Sequence, residues 1–345
     1  MVPPSRDNHF VSQFYLRAWQ DPTGRVQMYR TLVSRAQVPE WVSQTVKGVG
    51  YIRDLYSSPL EHGLDTFERW TAEEFETPAV GAVTRAISGG PLADADHRAL
   101  GRFFALQDVR TPSSLLASQE RWETLFRETM QSVVSDLEAN PHRLALSDSD
   151  ELKVSPAPSS KTPTFQGITV GFHQDAAGSH YIKAEIISPR AFWLKQMTSL
   201  LSREAIKALE SYRWSLATPH GDEEWPTSDC PVLKLMFESP SSYHFSAGYG
   251  EAKCDLMMPL SPRCLLYAQV GEDHPERFKM NAYQTRLLQR LLAERAHRSV
   301  FARNRLPSVS ADRQRLVDEE RYAQESAFWT SWGDANFAME AAAGF

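Results

Sequence analysis

A Ser- and Pro-rich stretch at 147–164 (SDSDELKVSPAPSSKTPT) separates two parts of the chain that have different hydrophobic rhythms. It offers little that a core could bury and reads as a loop or linker. Before it, over 1–146, apolar and charged residues recur mostly at helical spacing. After it, over 165–345, short alternating runs read as strands set between helices. That order predicts an α+β fold: a mainly helical N-terminal half, a mixed or antiparallel sheet with helices in the C-terminal half, and a helical C-terminus. Two domains and one continuous domain both satisfy it.

Within the first part, residues 9–19 (HFVSQFYLRAW) read as a short helix with His9, Gln13 and Arg17 four apart on one face. Residues 25–30 alternate and read as a strand. A helix is predicted over 62–88, ending at Gly89-Gly90, and a second from Asp94. The second should break near Thr111-Pro112, because the residue before proline avoids the helical region. A third follows over 113–139. In the second part, 164–172 and 180–187 suggest a hairpin, and 190–210 a helix. Strands are expected at 212–217, 232–237, 253–258 and 264–270. Helices are expected at 279–302 and 311–331.

Apolar residues make up 42% of the 345 and aromatics 11%, which supplies a core and excludes a disordered chain. A net charge of −6 argues against binding polyanions over the whole surface. The segment 277–315 is the exception: ten Lys and Arg residues face only Glu294 and Asp312. Cys230, Cys254 and Cys264 form no C-x-x-C pair, so neither a disulfide framework nor a Cys-rich zinc site is supported. With no apolar leader and no long apolar run, a cytoplasmic protein without a membrane span is expected.

Three motifs recur in a distinctive order: His9-Phe10-Val11-Ser12-Gln13-Phe14-Tyr15-Leu16, then Gln107-Asp108-Val109-Arg110-Thr111-Pro112, then Thr227-Ser228-Asp229-Cys230-Pro231-Val232 followed by Pro259-Leu260-Ser261-Pro262. Together they resemble a microbial family catalogued as domain of unknown function 4238. The resemblance spans roughly residues 8–285. Family members carry proline where this chain has Ser12, in the first helical turn, where a missing N–H costs nothing. The resemblance implies no activity. It nominates His9, Gln13, Gln107, Arg110, Ser228 and Asp229.

Each nominee has two readings. His9, Gln13 and Arg17 form either a site wall, with a general base or metal ligand beside amide and guanidinium donors, or a structural stripe. Gln107 and Arg110 share a helix face where the helix must end. Arg110 there either captures a phosphate or carboxylate, or caps carbonyls and pairs with Asp108 or Glu76. Ser228 and Asp229 sit at a strand mouth. Asp229 either binds a metal or orients His9, or the two residues make an Asx-type turn. Ser228 lacks a G-x-S-x-G elbow, so it is a weak nucleophile. His173 with Asp175, His220 with Asp222, and His274 with Asp273 read as surface turn residues, since no zinc-enzyme motif surrounds them. In the basic segment, Leu287, Leu288, Leu291 and Leu292 make a stripe opposite Arg286 and Arg290, a face that nucleic acid or solvent could take.

The sequence thus supports two functions. One is a hydrolase, a nuclease or nucleotide hydrolase, acting on a phosphorylated substrate. His9 would be the base, Asp229 the metal ligand or orienter, and Arg110 the anion holder. Gln13, Gln107 and Ser228 would bind substrate, and Arg286 and Arg290 nucleic acid. The cofactor stays open, a divalent metal being one option. The other is a non-catalytic sensor or interaction protein in which the same residues form a structural network.

Overall fold

The computed structural model describes residues 7–58, 65–139, 168–174, 180–186 and 188–342. The stretch 147–164 and the turn holding Asp175 lie outside the described residues. Five short strands open the chain: β1 (Asp7–His9), β2 (Arg25–Arg30), β3 (Leu32–Val33), β4 (Trp41–Thr45) and β5 (Tyr51–Arg53). Helix α1 (Gln13–Leu16) lies between β1 and β2. Helices α2 (Thr66–Thr71), α3 (Thr77–Ile87), α4 (Asp94–Val109) and α5 (Pro112–Ala139) follow, with a π-helical turn, Ala72–Glu76, joining α2 to α3. Strands β6 (Ile168–Gln174) and β7 (His180–Ile186) pair antiparallel, as the sequence suggests. Next come α6 (Pro189–Leu200), α7 (Arg203–Ser211), β8 (Ser215–Thr218), β9 (Thr227–Ser228), β10 (Leu233–Ser239), β11 (Ser242–His244), β12 (Asp255–Ser261), β13 (Cys264–Gln269) and β14 (Arg277–Lys279). The chain continues through α8 (Ala282–Arg295), β15 (Ser299–Ala302), α9 (Pro307–Asp312), β16 (Leu316–Val317) and α10 (Glu319–Ala342).

The fold is α+β, with a helical C-terminus. A six-stranded mixed sheet has the order β11-β10-β12-β13-β8-β14, parallel only at β14–β8. A four-stranded antiparallel sheet has the order β4-β2-β15-β9. The second sheet takes β2 and β4 from one end of the chain and β9 and β15 from the other. One apolar core likewise runs from Phe10 to Trp332, through Phe103, Phe104, Trp193, Trp214 and Leu266. The leucine stripe of α8 packs Leu288, Leu291 and Leu292 onto Trp225, Leu233, Leu235 and Leu265 of the six-stranded sheet region.

Four predicted helices are corrected. The one expected over 190–210 is two, α6 and α7, parted at Leu201-Ser202. Residues 9–19 are not one helix: Phe10 and Val11 donate to the Gly50 carbonyl, which keeps 7–11 extended beside β5, and helix begins only after Ser12. The helix expected over 279–302 stops at Arg295, because Asp229 captures the N–H groups of His297, Arg298 and Ser299 and β15 then pairs with β2 and β9. The one expected over 311–331 is displaced to 319–342, after β16 pairs in parallel with β3. The break at Thr111-Pro112 stands where expected. No helix among the described residues is long and apolar enough to cross a membrane.

Candidate functional site

Arg110 sits at the C-cap of α4, where proline two residues on forbids further helix, so its side chain leaves the helix axis and enters the core. It is 4% exposed. Nη1 donates to Glu76 Oε1 at 2.5 Å and to Ser12 Oγ at 3.4 Å, and Nη2 donates to the His9 carbonyl. Tyr56 donates its hydroxyl to the Arg110 carbonyl. Gln107, one turn back on the same face, donates to Ser12 Oγ at 3.0 Å, and Ser12 donates to Glu76 at 2.5 Å. The first two motifs therefore meet at one buried network. The π-helical turn aims Glu76 at that network, and such turns are frequent at functional sites.

Ser12 explains the departure from the family pattern. Its φ of −60° and ψ of 130° suit proline as well as serine. In this chain the hydroxyl adds a hub that joins Gln107, Arg110 and Glu76.

His9 lies on β1, not on a helix, yet Gln13 Nε2 still comes within 3.4 Å of its Nδ1. Its Nε2 faces the Lys47 carbonyl at 3.3 Å, the pattern of a neutral imidazole protonated on Nε2. Burial holds its pKa below the ordinary histidine value, and Arg110 adds to the effect. Glu68, on α2, faces Arg110 and Asn8. Burial raises its carboxyl to about 7, against the opposing pull of Arg110, while Asp65 and Glu76 push it further up. Two buried atoms of the network, Arg110 Nε and Gln107 Oε1, have no partner among the described residues.

The third motif goes elsewhere. Asp229 Oδ1 accepts from His297 N at 2.8 Å, and Oδ2 accepts from Arg298 N and Ser299 N at 2.6 and 2.8 Å. Burial raises this carboxyl, while His297 and the three N–H groups oppose the rise. No hydrogen bond or ion pair joins Asp229 to His9 among the described residues, so Asp229 does not orient it. Ser228 Oγ accepts from Cys230 N at 3.1 Å, closing a local turn, and among the described residues no histidine or carboxylate side chain hydrogen-bonds to it. The strand that carries it meets the first motif through the Tyr15 and Thr227 hydroxyls, 2.6 Å apart.

Arg286 and Arg290 do not offer a free basic face. Arg286 is bidentate to Asp312 at 2.5 and 2.8 Å. Arg290 donates to the Pro240 carbonyl at 2.8 Å and pairs with Glu294 at 3.4 Å. Glu325 takes Arg298, and Glu224 takes Arg303. Among the described residues no group of three His, Cys, Asp or Glu side chains is placed to hold a metal ion.

Sequence reasoning named Gln107 and Arg110 correctly as neighbours but overlooked Glu68, Asn8, Tyr56 and the role of the Ser12 hydroxyl. Ser12 was legible as the one break in the family pattern. The others come from α2, β1 and the 54–58 turn, whose mutual approach only the fold sets. Among curated proteins and among solved structures, none matches this chain. The family model described as Protein of unknown function (DUF4238) matches residues 7–305. With that match over most of its length, and with the family's first two motifs joined at Arg110, the chain belongs to this family of unknown function.

Proposed function

We propose that the chain is a non-catalytic sensor or interaction protein, and that the residues nominated for chemistry hold its fold together. One observation carries the reading: the charged nominees are taken up within the chain, Arg110 by Glu76 and Asp229 by three backbone N–H groups. An anion-binding arginine needs an accessible fork, whereas each Nη atom of Arg110 already donates within the chain and its Nε, though without a partner among the described residues, is shielded from solvent. The Glu76 carboxylate paired with it would repel a phosphate at that place.

Thermal unfolding of the wild type, Arg110→Met and Asp229→Asn tests this, each with and without Mg²⁺, Mn²⁺, Zn²⁺ and nucleotides. Both variants are expected to melt lower whatever is added. A metal or nucleotide that stabilises the wild type but neither variant would overturn the reading, since ligand at about 100 times its Kd adds about 2.7 kcal/mol.

A second reading, hydrolysis with Glu68 as general acid or base, is favoured by the carboxyl raised to about 7 and by the partnerless Arg110 Nε and Gln107 Oε1. It requires a hydrolytic activity that Glu68→Gln removes while the protein stays folded.

A further inference from the structure

Several buried or half-buried arginines face a carboxylate: Arg110 faces Glu76, Arg190 faces Glu340, Arg298 faces Glu325 and Arg303 faces Glu224. Half-buried Arg30 does not, and neither does the exposed Arg35. Arg30 ends β2 half-buried, with its Nε shielded from solvent and without a partner. Arg35 is exposed on the segment between β3 and β4. Among the described residues neither makes an ion pair or a side-chain hydrogen bond. Both line one cavity of about 440 Å³, together with Gln37, Val38 and Pro39.

A third guanidinium shapes the same segment. Arg315 donates to the carbonyls of Val38 and Ala36 at 2.6 and 3.1 Å, fixing the loop while adding its own charge. The carboxylate nearest in sequence, Glu40, lines a separate cavity beyond Pro39 with Trp41 and Arg305. Among the described residues none of the three arginines makes an ion pair, and although Glu40 acts on the same Tyr29 hydroxyl as Arg315, the three guanidiniums outnumber it and leave a local positive field that an anion would relieve. The planar forks of Arg30 and Arg35 suit the oxygens of a phosphate, and Gln37 offers an amide beside them. Val38 and Pro39 supply an apolar wall for whatever carries the phosphate. A volume of about 440 Å³ fits a small molecule and is too little for a wrapped polymer.

We propose that Arg30, Arg35 and Gln37 form a seat for a small phosphomonoester. The seat shares no residue with the Arg110 network and stands whichever role that network has.

Calorimetric titration at low salt tests it, with ribose 5-phosphate, inorganic phosphate and a single-stranded oligonucleotide as probes. Wild type, Arg35→Gln, Arg30→Gln and Arg286→Gln are compared, with circular dichroism to confirm folding. Arg35 is exposed on a loop, so its variant keeps the test valid should Arg30→Gln misfold. Wild type should bind ribose 5-phosphate more tightly than free phosphate. Arg35→Gln should weaken binding by about tenfold or more, as expected for the loss of one charged fork. Arg286→Gln, whose arginine is already paired with Asp312, should bind like the wild type. Equal affinity of wild type and Arg35→Gln, or no binding of the ester, would overturn the seat. Equal affinity for the ester and the free ion, or far tighter binding of the oligonucleotide, would overturn the small-ester assignment.

Discussion

Arg110 holds together backbone and side chains from β1, α1, the π-helical turn and α4. Removing one member of a buried ion pair leaves the other charge without compensation, which is worse than removing both. Arg110→Met should therefore cost about 3 kcal/mol in urea unfolding, and Arg110→Met with Glu76→Leu should cost less than Arg110→Met alone. Glu68 makes a separate, pH-dependent contribution. The folded protein holds its proton up to about pH 7, whereas the unfolded chain releases it near the ordinary glutamate value of 4.5. Stability from this group is full below that lower value and declines as pH rises through about 7. Glu68→Gln should remove that decline and stabilise the protein at pH 8 by up to about 3 kcal/mol, read as the wild-type-minus-variant difference across pH 4 to 8. His9 works in the opposite direction, costing stability as pH falls through its depressed pKa, and cancels in that difference. Part of this network was legible: Gln107 and Arg110 share a helix face by spacing alone. The partner of Arg110 was legible only as one of two candidates, Asp108 and Glu76, and it is the fold that chooses Glu76. Asp108 instead receives the Tyr249 hydroxyl at 2.7 Å and faces Lys234 at 2.8 Å, contacts that exist only once the six-stranded sheet has formed.

Elements whose limits are set locally were the ones the sequence showed best. The proline at 112, Gly89-Gly90 after α3, and the alternation of β2 all act within a few residues. Elements set by distant partners were missed. β1 is extended because Gly50 and β5 lie against it, and β15 is a strand because Asp229 turns the chain out of α8 and β2 receives it. Contact between elements also dictates single residues. On α4, a Cβ at Gly101 would land on the Leu209 carbonyl of α7 and stand 3.2 Å from Trp214 Nε1. Only glycine lets those two backbones approach so closely. Gly101→Ala should then cost stability although alanine is the better helix former, by about 1–3 kcal/mol from overpacking. A melting temperature unchanged or raised would show that α4 and α7 part without cost.

On the scale of the whole molecule, the family match stops at residue 305, yet the core is closed by α10, which begins at Glu319. Glu340 is fully buried and accepts from Arg190 Nη2 at 2.6 Å and Nε at 3.1 Å, with Ser188 and Ser58 donating to it as well. Asn336 accepts from Arg190 N at 2.9 Å, and Trp332 donates to the Leu55 carbonyl at 3.3 Å. Gly333 gives Asp54 room, since a Cβ there would stand 2.8 Å from the Asp54 Cβ. The C-terminal helix is thus tied to the 54–58 turn near the N-terminus and to the start of α6. The sequence showed a helix near here, but its pairing with Arg190 spans 150 residues, and no local pattern carries it. Because both charges are fully buried, Glu340→Ala should cost about 3–5 kcal/mol, while Arg190→Met with Glu340→Leu should recover most of that loss. Deleting 319–342 should do more than either, because it strips Trp332 and Asn336 from the core along with the charge. A shared core requires that loss to appear in one cooperative transition: near-UV dichroism of the aromatic core and far-UV dichroism of the helices should fall together at a lower midpoint. Two separated transitions, with the four-stranded sheet melting after the helices, would show instead that the two ends of the chain are stabilised independently.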